Sequence, residues 1–268
     1  MTLQQAVILA IIQGATEFLP VSSSGHLVLT RSLIGVPDIP ILFDLILHLG
    51  TVTATVLVYY RAIGEIFRDI GIWIIYRRGE AFQGNVKLFL YIAISTAVTG
   101  VAGLLLENQI TSIFQSPKIV SVLLITTGLI LFTTRYAQKG NNSINETRIH
   151  FPLVIGFVQA FAMLPGISRS GSTISAGLFM GLKREIAGAY SFLLSIPSVF
   201  GAALFAYATS YSELYEVVGL PTVIVAFLLS FISGYIALRL LLQFLKRGRL
   251  WLFSFYCFLV GVIGLTLH

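Results

Sequence analysis

Apolar residues fall along this chain in long runs, and the runs are of two kinds. Six are continuous or nearly so, at 41–60, 86–106, 118–136, 187–208, 220–242 and, shorter, 251–268. A helix needs about 20 such residues to cross the ~30 Å hydrocarbon core of a bilayer, so each predicts a membrane span. Two further runs are broken in the middle: 3–36 by LPVSSSGH at 19–26, and 151–182 by LPGISRSGST at 164–173. Each half is about 10 to 16 residues, roughly 15–24 Å of helix, which is short for a crossing. Proline, glycine and consecutive hydroxyls stop the helix, and unpaired backbone at membrane depth is tolerated only beside protein or a water-filled cavity. Both broken runs therefore read as re-entrant helical hairpins with their tips inside the protein.

The two broken runs resemble each other. Gln13, Leu19-Pro20 and Ser22-Ser23-Ser24-Gly25 correspond to Gln159, Leu164-Pro165 and Ser168-Arg169-Ser170-Gly171, about 146 positions later. Each is followed by three predicted spans. The expected fold is an all-α integral membrane domain occupying 1–268, a repeat of one re-entrant hairpin plus three spans, with halves 1–140 and 141–268. A hairpin returns to the side it entered, so each half makes three crossings. An odd number inverts the second half relative to the first, the plan in which broken helices meet near the midplane.

Charge placement agrees with six crossings. Of the 17 Lys and Arg residues, fourteen lie in four segments that this topology puts on one side. They are Arg61, Arg68, Arg77, Arg78 and Lys87; Arg135, Lys139 and Arg148; Lys183 and Arg184; and Arg239, Lys246, Arg247 and Arg249. Only Arg31 and Lys118 fall opposite, with Arg169 in the second hairpin. By the positive-inside rule the crowded side is cytoplasmic. Both termini then face outward, the first hairpin enters from outside and the second from inside. Eight full crossings would put the 183–186 and 239–249 cations outside. Within the 61–87 loop, charge alternates with Ile, Phe and Trp over 63–76, which predicts an interfacial amphipathic helix. Residues 141–145 read as a polar connector.

Composition narrows the class further. Apolar residues make up 56% of the chain and charged ones 10%, against about 25% charged in a typical soluble domain. Mean hydropathy is +0.91. So few charges cannot coat a soluble surface, and no nucleic-acid-binding face is expected. The single cysteine, Cys257, excludes a disulfide framework within the chain and a CxxC metal site. Residues 1–5 hold no Lys or Arg and no small-residue cleavage site follows a short apolar core, so no cleavable leader is expected.

An ionisable group at membrane depth costs at least about 2.5–3.5 kcal/mol, which makes it a functional candidate. Glu17 and His26 lie in the first hairpin, Arg169 in the second, and Asp44 with His48 in the first span. Hairpins entering from opposite faces should bring Glu17, His26 and Arg169 to one pocket. Around them stand Ser22, Ser23, Ser24, Ser168, Ser170, Ser172 and Thr173. Helices expected to begin near His26 and near Ile174 would present free N–H groups and a positive dipole end to an anion, above all a phosphate. Gly25, Gly166 and Gly171 let backbone approach a ligand closely, and the Arg169 guanidinium can grip two phosphate oxygens. The plainer reading is that hydroxyls and glycines glue helices together and that Glu17–Arg169 is a structural ion pair. Asp44 and His48, four apart on one helical face, read equally as a structural hydrogen-bonded pair or a catalytic one.

The segments QGATEFLPVSSSGH (13–26) and PGISRSGST (165–173) resemble the two signature motifs of the bacterial undecaprenyl-diphosphate phosphatase family, the bacitracin-resistance type. That family's motifs are [E/Q]-x-x-x-E and P-G-x-S-R-S-x-x-T, and the likeness runs the length of the chain. One position departs: Gln13 stands where many members carry Glu, leaving a single carboxylate. The resemblance implies hydrolysis of undecaprenyl diphosphate to the monophosphate and inorganic phosphate, recycling the lipid carrier of cell-wall polymers. It also implies a bacterial plasma-membrane location, a pocket that opens outward, a link to bacitracin resistance and a divalent cation, Mg²⁺ or Ca²⁺, with Glu17 and Gln13 as the metal-side residues. The expected catalytic set is Glu17, His26, Ser23 and Arg169. Ser22, Ser168, Arg169, Ser170, Gly171 and Thr173 are expected to hold phosphate, with Gln13, Ser24, Gly25 and Gly166 in support. Either Ser23 or His26 attacks phosphorus, or His26 activates water. Carriage of the lipid phosphate across the bilayer is the alternative, since the same plan builds transporters.

Overall fold

The computed structural model describes residues 1–36, 41–76, 84–114 and 116–268, with no account of the side chains of 41, 76, 107–112 and 205–217. The described chain is helical, apart from one backbone bridge between Asn142 and Leu182. In order, α1 is Leu3–Phe18, α2 Ser23–Leu33, α3 Ile41–Tyr76, α4 Asn85–Phe114 and α5 Pro117–Thr133. Then come α6 His150–Phe161, α7 Arg169–Phe179, α8 Arg184–Val217, α9 Leu220–Lys246 and α10 Phe253–Leu267. Six of these helices (α3, α4, α5, α8, α9 and α10) are long and apolar enough to cross a membrane.

Four of the spans, α3, α4, α8 and α9, run longer than their apolar cores suggested. α3 continues for 36 residues, roughly 54 Å at 1.5 Å per residue, and takes in 63–76. The segment expected to lie as a separate helix on the membrane surface is the end of this one. Nothing in 60–64 breaks a helix, so charge alone does not end it. Arg77 and Arg78 lie outside the described residues.

α1, α2, α6 and α7 have 16, 11, 12 and 11 residues, roughly 17–24 Å each. α1 starts on a capping box, with Thr2 and Gln5 satisfying each other's backbone N–H, and stops at Leu19 because the residue before a proline is disfavoured in helix. The open ends of each pair approach one another. Gln5 Nε2 reaches Ile34 O at 3.5 Å; at the second pair Asn142 N donates to Gly181 O at 3.0 Å and Lys183 N to Asn142 O at 3.1 Å.

Small residues set the closest helix approaches, as expected where lipid is the solvent. Gly14 of α1 lies against α9: a Cβ there would sit 2.6 Å from Ser230 O and 2.7 Å from Gly234 N. Gly261 of α10 meets Ser121 O and Ile125 of α5 in the same way. Inside, Phe18 packs edge-on to Phe192 at 5.7 Å, within a buried cluster that includes Val21, Ile174, Leu194, Leu238 and Leu241. Outside, large apolar side chains are bare, Leu105 at 75% and Phe157 at 66% exposure. A surface this apolar suits lipid contact.

Gly14→Ala should lower the melting midpoint of the detergent-purified protein, because overpacking against α9 backbone costs about 1–3 kcal/mol. Gly100→Ala, with nothing within 4 Å of the added carbon, should leave it unchanged or raise it slightly, since alanine is the better helix former.

Candidate active site

The two broken segments meet tip to tip. α2 begins at Ser23, with Ser22 as its N-cap at φ 66°, and Ser22 Oγ accepts from Gly25 N. α7 begins at Arg169 in the same manner, with Ser168 Oγ accepting from Gly171 N. Both helices thus start three to five residues earlier than expected, and Ser22 and Ser168 use their oxygens as caps. The first N–H groups of each helix have no helical acceptor, so two positive dipole ends come together at the contact.

Backbone touches backbone at this point. Gly166 N donates to Ser22 Oγ at 3.1 Å and Ser170 Oγ to Phe18 O at 3.1 Å. A Cβ on Gly25 would lie 3.0 Å from Gly166 Cα, and Gly166 itself has φ 101° with Val120 O 2.5 Å from where a Cβ would be. No side chain fits there, and the left-handed φ favours glycine independently. Thr127 of α5 holds the second tip, donating to Gly166 O at 2.7 Å and accepting from Ser168 N at 2.9 Å.

Glu17 sits at the end of α1 with its side chain 7% exposed. Its Oε1 accepts from Arg169 Nη2, forming an ion pair across the two tips. Its Oε2 accepts from Ser23 Oγ at 2.5 Å and Gln13 Nε2 at 2.9 Å, and lies 3.5 Å from His48 Nε2. Because Gln13 points its amide nitrogen at the carboxylate, its Oε1 faces away, and that atom is buried without a hydrogen-bond partner. One carboxylate therefore gathers a guanidinium, a serine hydroxyl, a carboxamide and an imidazole from α1, α2, α3 and α7.

The imidazole beside Glu17 belongs to His48, not His26. His26 is on the same turn as Ser23, but its Nδ1 is 2.8 Å from Ser22 O and its Nε2 is 2.9 Å from Tyr256 Oη on α10. Asp44 and His48 do not pair through their side chains: His48 Nδ1 bonds the Asp44 carbonyl at 2.8 Å, while the Asp44 carboxylate takes Arg31. Thr173 reaches Ser191 Oγ of α8 at 2.6 Å, and Ser24 Oγ lies 3.3 Å from Ser22 Oγ. Ser170 Oγ is 3.3 Å from Ser168 Oγ. Tyr256, Thr127 and Ser191 were not expected from the motifs. His48 was visible as an ionisable residue in a span, Tyr256 only as one more aromatic.

The model of the bacitracin resistance protein BacA family matches residues 6–263. An undecaprenyl-diphosphatase of Desulforapulum autotrophicum is 40% identical over 273 residues, 99% of this chain and 98% of that protein. One from Halothermothrix orenii is 37% identical over 267 residues, 100% and 98% of the two chains. One from Korarchaeum cryptofilum is 42% identical over 270 residues, covering both chains fully.

Removing one member of the cross-tip ion pair leaves the other as a sheltered unpaired charge, which costs about 3 kcal/mol or more. Glu17→Leu and Arg169→Met should each lower the melting midpoint more than the double replacement does. A double variant that loses the full sum of the two single losses would show that the pair is not energetically coupled.

Proposed function

The chain belongs to the bacitracin resistance protein BacA family, and from that membership we propose that it hydrolyses undecaprenyl diphosphate to undecaprenyl phosphate and inorganic phosphate. Identity of about 40% across the whole chain to proteins named undecaprenyl-diphosphatase supports the activity. Glu17, Ser23 and Arg169 gathered at the meeting tips carry the reading of the site.

The terminal phosphate enters between the two helix starts, where free N–H groups and Arg169 receive it. Among the described residues Arg169 is the full cation bonded to Glu17, and a guanidinium has donors for both partners. As it turns to the phosphate it releases part of the carboxylate, which becomes a stronger base. Ser23 Oγ, already donating to Glu17 at 2.5 Å, attacks phosphorus while its proton passes to Glu17 and then to the departing undecaprenyl phosphate oxygen. The phosphoserine is hydrolysed by a water whose proton goes to His26, one turn along α2; His26 then gives a proton to the departing Ser23 Oγ, which restores the hydroxyl and frees phosphate. The guanidinium and the α7 N-terminus stabilise the charge on the phosphoryl oxygens in both steps. Ser170, Thr173 and Gly171 shape that terminus, while Ser22 and Ser168 cap the two helices.

A diphosphate brings more negative charge than Arg169 offsets. The oxygen donors present, the Glu17 carboxylate and the unpartnered Oε1 of Gln13, suit a hard divalent cation such as Mg²⁺ or Ca²⁺ held mainly by the phosphates. Among the described residues there is no cluster of three or more His, Cys, Asp or Glu for an all-protein cage. Glu17 and Gln13 are the residues that would hold it, and when bound it neutralises phosphoryl oxygens.

The short helix pairs are read as re-entrant hairpins of an inverted repeat, 1–140 and 141–268. Their sub-membrane lengths, adjoining open ends and matching Ser-capped tips support this. The charge bias puts both termini and the mouth of the site outside.

Purified protein should release phosphate from a short polyprenyl diphosphate, less so in EDTA. Ser23→Ala, Glu17→Ala and Arg169→Ala should each lose about 100-fold or more in rate. Substrate labelled in the terminal phosphate should leave label on acid-quenched wild type and none on Ser23→Ala. Full activity in Ser23→Ala would remove the phosphoserine. For topology, in a Cys257→Ser background, an impermeant maleimide should label Lys118→Cys on intact cells and miss Lys139→Cys. The reverse pattern would invert the orientation.

A further inference from the structure

His26 has both ring nitrogens engaged, and its partners define its chemical state. Nδ1 lies 2.8 Å from the carbonyl oxygen of Ser22. A carbonyl can only accept, so Nδ1 carries hydrogen. In the neutral ring Nε2 then bears a lone pair, and its neighbour at 2.9 Å, Tyr256 Oη, must donate. The two rings lie nearly parallel, 3° apart in plane with centroids 5.6 Å apart. Tyr256 sits on the last helix, 230 positions along the chain and outside both motifs. Its neighbour Cys257 anchors that turn of α10 close to the first tip, with Sγ 3.8 Å from Pro20 O.

We propose that Tyr256 is a positioning residue for this reaction: with the Nδ1–H tautomer set by the Ser22 carbonyl, its hydroxyl engages Nε2 and holds the ring in place while Nε2 gains and loses a proton. This rests on the role given to His26 above. The chemistry favours a hydroxyl over other partners. It donates to Nε2 when the ring is neutral, and after a rotation its oxygen accepts from Nε2–H once the water proton has arrived. A carbonyl serves only the protonated ring and an ammonium only the neutral one. Contact with α10 also explains how a helix outside both motifs bears on the site. At 44% exposure Tyr256 is not needed to fill the core, so loss of its hydroxyl has little reason to disturb the fold.

Tyr256→Phe keeps the stacked ring and deletes the hydroxyl. Its kcat should fall about 10- to 100-fold, the usual range for a partner that orients a functional histidine, with KM within about twofold of wild type. In a His26→Ala background the same change should add nothing. Independently of activity, ¹⁵N spectra of labelled histidines, with the His26 signal assigned by its loss in His26→Asn, should show a single Nδ1–H tautomer in wild type. In Tyr256→Phe the Nδ1–H tautomer should persist, held by the Ser22 carbonyl, while the Nε2 resonance shifts because its hydrogen bond is lost. An unchanged His26 spectrum in Tyr256→Phe would overturn the proposal, and so would equal losses in the wild-type and His26→Ala backgrounds. Failure of the phosphatase reading is separable, because wild type would then release no phosphate whatever the state of the His26 spectrum.

Discussion

The arrangement depends on two chain breaks meeting backbone to backbone inside an apolar shell. A helix that stops at membrane depth leaves N–H and C=O groups without water, each costing several kcal/mol if unmet. Here the breaks satisfy each other. Ser22 accepts from Gly166, Ser170 donates to Phe18, and Thr127 holds both a carbonyl and an amide of the second tip. Gly25 and Gly166 are close enough that neither admits a side chain. The polar site is therefore built from groups that had to be paired anyway, and the leftover donors at the two helix starts point where an anion is wanted.

That economy explains why Glu17 can be kept at depth. A carboxylate there is supportable only with several donors, and Glu17 has a guanidinium, a hydroxyl and a carboxamide, with the His48 imidazole close by. All of them come from the tips or from the helix faces that flank them. Weaken the tip contact and the carboxylate loses Arg169, so stability and chemistry are bound to the same few ångströms. The caps strengthen the link: Ser22 and Ser168 each fix a helix start, and each helix start carries the next residue, Ser23 or Arg169, into the site.

Much of this was legible in the residues. Hydropathy marked the six long helices because burying an 18-residue window in lipid leaves little freedom of composition, and Pro, Gly and Ser marked the breaks. Helix ends were less readable, since polar residues past the bilayer continue a helix as well as end it, as in α3. The Ser-x-x-Gly steps at 22–25 and 168–171 carried a capping signal, but the hydroxyls invited reading as ligands. Spacing put Asp44 and His48 on one face without saying what lay across from it; Arg31 took the first and Glu17 the second. Tyr256 was beyond reach, because only the packing of α10 brings an aromatic hydroxyl from the far end of the chain to His26.

The two tips share a frame and differ in what they place on it. Position for position, the residue after the cap is Ser23 in one and Arg169 in the other, and four after the cap come His26 and Ser172. Had both tips kept the same charged residue, like charges would face each other across the tip contact, in surroundings that screen poorly. Divergence within the proposed repeat resolves this. One tip carries Ser23, the Glu17 carboxylate and the His26 imidazole, and the other supplies the Arg169 guanidinium, so the cation of one tip neutralises the anion of the other. Two alike Ser-capped tips give two helix starts that favour an anion, but only an unequal pair can also hold a carboxylate and a guanidinium that neutralise each other.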